Sequence, residues 1–129
     1  MAQTRVLLVD DEFEFVSTLA ERLQMRNYTV DIASNGIEAM AAFHKSTPDV
    51  VILDLKMPGI NGLEILKNIK KFDPSIEVII LTGHGDMQSV EEGMKNGASE
   101  YIMKPIDINE LTSKNDIAAE RRKKSLYQG

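Results

Sequence analysis

The chain has 129 residues, 43% of them hydrophobic and 27% charged, with a net charge of −5 and no cysteine. This length suits one domain with a full hydrophobic core, and the balance is that of a globular chain, not a disordered one. The composition excludes a disulfide framework, a thiolate metal site and a cysteine nucleophile, and the acidic balance speaks against nonspecific nucleic-acid binding.

No apolar run approaches the ~20 residues that a membrane span needs, and the N-terminus carries no basic-apolar-small export pattern; a cytoplasmic protein is expected. In chain order, Val6–Val9 is a compact apolar run that stops at Asp10-Asp11. Phe13, Val16, Ala20 and Leu23 then recur at helical spacing. Thr29–Ala33 reads as a weaker, alternating strand, followed by Ile37, Met40, Ala41 and His44 on one helix face. Val50–Leu53 is wholly apolar and ends at Asp54; Ile65, Leu66, Ile69 and Phe72 mark the next helix. Val78–Leu81 ends at Thr82, and Met87, Val90 and Met94 mark a shorter helix closed by Asn96-Gly97. Tyr101–Met103 ends at Lys104-Pro105, and Asp107 is placed to cap a last helix. That helix carries Ile108, Leu111, Ile117 and Ala118 but also Thr112, Ser113, Asn115 and Asp116, so looser packing is expected there. Glu120–Lys124 reads as a solvated, basic helix end at the negative pole of the helix dipole.

Five strand–helix units in strict alternation, with strands apolar on both faces, imply a parallel sheet covered by helices on each side, joined by right-handed crossovers. The expected class is α/β: a doubly wound, five-stranded parallel sheet of order 2-1-3-4-5, with its ligand site at the carboxyl ends of the strands. The residues at those ends are Asp10-Asp11, Asp54, Thr82 and Lys104. Taken singly each has a plain alternative: Asp10-Asp11 as a helix cap and first-turn acid, Asp54 as a strand end, Lys104 as a surface lysine. Taken together, three carboxylates in one cleft repel, and a divalent cation removes the conflict. Oxygen-only donors favour Mg²⁺, with Mn²⁺ as the alternative, over Zn²⁺. A cation, an ammonium and a hydroxyl around one carboxylate make a cradle for a phosphoryl group attached to it.

These residues resemble the receiver domain of two-component response regulators. The match rests on Asp10-Asp11, on Asp54 within Leu53-Asp54-Leu55-Lys56-Met57-Pro58-Gly59-Ile60-Asn61-Gly62, on Thr82-Gly83 and on Lys104-Pro105. It covers the chain from about Arg5 to the final helix. The stretch Leu81–Asp86 is similar to receivers of regulators that control enhancer-dependent transcription. The resemblance implies a flavodoxin-like receiver over residues 1–129, with a core at about 5–119 and a basic tail at about 120–129. It implies that Asp54 accepts a phosphoryl group from a histidine kinase or phosphotransfer protein. Asp10, Asp11, Asp54 and the backbone carbonyl of Lys56 would hold Mg²⁺, and Lys104 and Thr82 would bind phosphoryl oxygens. Lys56, Gly83 and His84 would tune the phosphate's lifetime. Thr82 and Tyr101 would switch the face made by helix 4, strand 5 and helix 5, and so control a downstream partner or output domain.

Pro58, Gly62 and Pro105 take structural roles in this reading, Pro105 through a cis bond that the family implies. For Gly83, open approach to the phosphoryl site and a turn needing glycine's backbone freedom both stand. Moving a two-state equilibrium from 1:99 to 99:1 takes about 5.5 kcal/mol, so a partial shift is expected. The polar last helix speaks for a monomer or weak dimer. Lys56 stands where an aspartyl-phosphate hydrolase would carry a second acid, and the acidic first loop would repel a flavin phosphate. The intact Asp10, Asp11, Asp54, Thr82 and Lys104 set the chain apart from an inactive receiver. A signalling switch is expected, not an enzyme.

Overall fold

A computed structural model describes residues 3–57, 60–83 and 86–128; of Lys56, Met57, Ile60 and Gln128 only the backbone is described. Pro58, Gly59, His84 and Gly85 lie outside the described residues. The elements run β1 (Arg5–Val9), α1 (Phe13–Gln24), β2 (Thr29–Ala33), α2 (Gly36–Lys45), β3 (Val50–Asp54), β4 (Lys56–Met57), β5 (Ile60–Asn61), α3 (Gly62–Phe72), β6 (Glu77–Thr82), α4 (Met87–Lys95), β7 (Glu100–Met103) and α5 (Ile108–Gln128). The main sheet is parallel, in the order β2-β1-β3-β6-β7, which is 2-1-3-4-5 over the five expected strands. The short antiparallel pair β4–β5 was not anticipated. It carries the chain from β3 into α3, where the Asn61 carboxamide oxygen accepts the amide N–H of Leu63 at 3.1 Å and caps the helix.

Alternation along the strands builds two cores. Val6, Leu8, Val50, Ile52, Ile79 and Leu81 face α1 and α5. Leu7, Val9, Val51, Leu53, Val78 and Ile80 face the side of α2 and α3. All five residues of β3 and all six of β6 are buried. Each large side chain so enclosed contributes roughly 1.5–3 kcal/mol of transfer free energy, which makes the centre of the sheet the stable base on which the strand ends sit.

The expected faces of α1 and α3 hold except at one end residue each, whereas those of α2 and α4 are shifted by one position over part or all of their length. α1 buries Val16, Leu19, Ala20 and Leu23, while Phe13 is exposed. α2 buries Ala39 and Phe43 instead of the stripe through Ile37, which is exposed. α3 buries Ile65, Leu66 and Ile69; Phe72 is part-exposed and stacks on Phe43. α4 buries Val90 and Gly93, leaving Met87 and Met94 at the surface. In each case the i, i+3 run chosen from sequence included a large apolar residue at a helix end, where the chain enters or leaves the sheet and the outer residue turns to water. The end of α4 is as expected: Gly97 takes φ +107°, the left-handed conformation that closes a helix.

The basic stretch of α5 departs further from expectation. The helix runs on through it to Gln128, so these cations precede its last turn. Arg122 is largely enclosed and is not solvated: its guanidinium donates to Asp49 at 2.7 Å and to Asp73 at 3.5 Å, while Arg121 donates to Glu77 at 2.9 Å. Three carboxylates at the amino-terminal edge of the sheet thus anchor the second half of α5. Its first turn is capped by the Asp107 carboxylate, which accepts the Asn109 N–H at 2.9 Å.

Candidate functional site

Strand register decides which side chains meet. Val9 pairs with Leu53, so Asp10 and Asp54 emerge side by side at the carboxyl ends of β1 and β3. Leu81 pairs with Asp54, and Thr82 with Met103. The next residue, Lys104, is held there by its own amide N–H, which donates to the Thr82 carbonyl at 2.8 Å. Asp10, Asp54, Thr82 and Lys104, far apart in sequence, therefore share one end of the sheet.

The Lys104 ammonium organises this cleft. It donates to Glu12 Oε1 at 2.8 Å, Asp10 Oδ2 at 3.2 Å and Asp54 Oδ2 at 3.3 Å, and it lies 4.4 Å from the centre of the Phe15 ring. The Lys104–Pro105 peptide is cis. Asp10 is 1% and Asp54 7% exposed. Burial raises the Asp10 pKa, against the opposing pull of the Glu12 backbone N–H and of the Lys104 charge. Burial would lower that of Lys104, but the bond to Glu12 and the charges of Asp10 and Asp54 outweigh it and hold the ammonium above the ordinary lysine range.

Carboxylate oxygens of Asp10, Glu12 and Asp54 lie within 4.8 Å of one another. An all-oxygen donor set of this kind fits a hard divalent cation. The membership differs from the expected one. Asp11 is exposed and is not part of this group; Glu12 is. Glu12 occupies the cap position of α1 but makes no side-chain capping bond, so its carboxylate is left to reach Lys104. The Asp10 carboxylate, in turn, accepts the Glu12 amide N–H at 2.9 Å, so it also serves the turn into α1. Sequence reasoning missed Glu12 and Phe15. The signal for Glu12 was a third acid following Asp10-Asp11 with no apolar role of its own.

Thr82 is buried, with its hydroxyl donating to the Gly83 carbonyl at 3.1 Å. A β-carbon on Gly83 would meet nothing within 4 Å among the described residues, and its φ lies outside the left-handed region, so open space and not backbone freedom distinguishes this glycine. Gly62 is the opposite case: a β-carbon there would sit 2.6 Å from the Leu55 α-carbon, next to Asp54. Tyr101 is half-buried on β7; its carbonyl accepts from the Lys114 ammonium at 3.0 Å. Beside the cleft, Phe15, Leu19, Gly83, Lys104, Pro105 and Ile106 line an open groove of about 690 Å³. His84 and Pro58 fall outside the described residues, as does the Lys56 side chain.

Comparison with known proteins agrees with this geometry. A family model for the response regulator receiver domain matches residues 6–116. Sporulation initiation phosphotransferase F of Bacillus subtilis (strain 168) is 38% identical over 111 residues, covering 86% of this chain and 90% of that protein. The DNA-binding transcriptional regulator NtrC of Salmonella typhimurium is 38% identical over 108 residues, 84% of this chain but only 23% of the regulator. Among solved structures, a response regulator receiver domain protein from Clostridium thermocellum superposes with a TM-score of 0.87 at 38% identity, covering 93% of this chain and 97% of that one. NtrX from Brucella abortus gives 0.90 at 28% identity, covering 97% of this chain and 28% of NtrX. The chain thus spans nearly all of one relative and about a quarter of the longer regulators, and it belongs to the response regulator receiver domain family of two-component systems.

Proposed function

We propose that this receiver is a phospho-accepting switch, with Asp54 as the acceptor and a phosphohistidine of a histidine kinase or phosphotransfer protein as the donor. An Asp54 carboxylate oxygen attacks phosphorus in line as the P–N bond breaks; the electron pair stays on the imidazole, which takes up a proton, and an acyl phosphate remains on Asp54. Little covalent work falls to the protein. Its task is to position the acceptor and to balance charge on the phosphoryl oxygens. The observation that carries this reading is the Lys104 ammonium 3.3 Å from Asp54 at the carboxyl end of the sheet. Lys104 pairs with one phosphoryl oxygen, and the Thr82 hydroxyl turns from the Gly83 carbonyl to another.

Asp10, Asp11, Asp54 and the Lys56 backbone carbonyl are the residues proposed to hold Mg²⁺, Asp11 from the exposed rim; Glu12, close by but mostly exposed and turned to Lys104, stays outside this set. When bound, the cation supplies positive charge to the phosphoryl oxygens. Gly83, with open space around it, leaves a path for the donor or for water, while Lys56 and His84 set the lifetime of the acyl phosphate. Thr82 and Tyr101 relay the event to the face of α4, β7 and α5, where a downstream protein or output domain reads it. One receiver domain occupies residues 1–129. Its chemistry is self-phosphorylation and slow hydrolysis, not turnover of a separate substrate.

The test is incubation with Mg²⁺ and acetyl phosphate followed by intact mass. One added phosphoryl group, absent in Asp54→Asn, is expected; unmodified wild type under conditions that label a control receiver would refute the reading.

A further inference from the structure

Lys104 is fully committed. An ammonium has three N–H donors, and here Glu12, Asp10 and Asp54 take one each, at 2.8, 3.2 and 3.3 Å. A phosphoryl oxygen arriving at Asp54 finds no spare donor on this lysine, so one partner must yield. The three are not equal. The side chains of Asp10 and Asp54 are 1% and 9% exposed and, as the proposed cation ligands, they stay in the cleft beside Lys104 when the phosphoryl group arrives. The Glu12 side chain is 62% exposed and returns to solvent at little cost. It is also free of any helix-capping bond that would tie it to α1.

We propose that Glu12 is a displaceable latch on Lys104: it occupies the donor that the phosphoryl group needs, and its departure is a step of phosphoryl binding. The proposal rests on the acceptor reading above and adds its regulation. Before the donor arrives, Glu12 is one of four groups that hold the ammonium, the Phe15 ring being the fourth. Asp10, Asp54 and Phe15 still contact Lys104 when Glu12 is removed, so on this proposal the competition is relieved while the ammonium keeps its position. The effect on phosphoryl binding is therefore a gain, small because the broken pair is exposed on one side: about two- to five-fold.

The experiment measures the affinity for beryllium fluoride, a mimic of the phosphoryl group, by ¹⁹F NMR at saturating Mg²⁺. Proteins compared are wild type, Glu12→Gln, Glu12→Ala, Lys104→Met and the double variant Glu12→Ala/Lys104→Met. Affinity is expected to rise about two- to five-fold in Glu12→Ala and less in Glu12→Gln, whose amide oxygen still accepts from Lys104. The gain should vanish in the Lys104→Met background, where the latch has nothing to hold. A gain that persists there means simple charge repulsion by Glu12 and overturns the latch. Mg²⁺ affinity, followed by amide shifts in an NMR titration, should be unchanged; a tenfold loss in Glu12→Gln makes Glu12 a cation ligand and also overturns it. Wild type that binds neither beryllium fluoride nor a phosphoryl group defeats the acceptor reading and the latch with it. Equal affinities in wild type and the Glu12 variants defeat the latch alone.

Discussion

Asn115 offers a sharp test of how α5 is held. It lies on the buried stripe between Leu111 and Ala118, is 0% exposed, and neither its Nδ2 nor its Oδ1 finds a hydrogen-bond partner among the described residues. A buried polar group without a partner costs about 1–3 kcal/mol. Leucine has the same branched outline with two methyl groups in place of the amide atoms, so Asn115→Leu removes the penalty and adds apolar contact with Leu111 and the sheet. A net gain of about 2 kcal/mol is expected, taking a conservative part of that range. For a chain of 129 residues the unfolding entropy is about 270 cal/mol/K, so the midpoint should rise by about 7 °C. Thermal unfolding followed by circular dichroism measures this, and hydrogen exchange should show added protection along α5. A midpoint that falls in Asn115→Leu would refute the reasoning, since it would mean that the amide makes interactions worth more than its burial costs.

Gly62 and Asp73 offer two more tests. Gly62→Ala places its β-carbon 2.6 Å from the Leu55 α-carbon and 2.8 Å from its carbonyl oxygen, backbone that has no rotamer to escape by; a loss of about 2–3 kcal/mol in urea unfolding is expected, with slower phosphoryl uptake because Leu55 follows Asp54, and unchanged stability would contradict the contact. Asp73 provides the pH dependence: burial pushes its pKa up, but the Ser75 N–H and hydroxyl and the Arg122 charge pull it below the ordinary 3.8. A depressed acid adds stability that is complete above its unfolded value and is lost as pH falls through the lower folded value. The stability difference between wild type and Asp73→Asn should therefore be flat above about pH 5 and shrink below about pH 4; urea titrations across pH 3–6 check it, and a difference that grows on acidification would reverse the sign.

The strands were legible because their signal is composition. Val50–Leu53 and Val78–Leu81 carry no polar residue, and the carboxyl ends at Asp54 and Thr82 follow from where those runs stop. The helices were less so, because a run of apolar residues at helical spacing does not say which of two adjacent stripes faces the sheet. Phe13 and Ile37 fit the chosen stripes and lie in solvent. In the cleft, Asp10, Asp54, Thr82 and Lys104 were readable from strand order alone. Which of the acids at 10, 11 and 12 turns inward was not: it depends on the backbone path from β1 into α1, where the Asp10 carboxylate binds the Glu12 N–H. The anchoring of Arg122 was hidden for a related reason, its partners at 49 and 73 lying far off in sequence.

The cleft straddles a mechanical boundary. Asp10 and Asp54 stand on strands enclosed on both flanks, whereas Lys104 follows a four-residue strand that forms one margin of the sheet, part-exposed at Glu100, Tyr101 and Met103. A strand with one neighbour costs less to displace than one with two. Any change of charge between the two banks should thus be absorbed by the weaker bank, so that Asp10 and Asp54 stay still while the strand before Lys104 gives way.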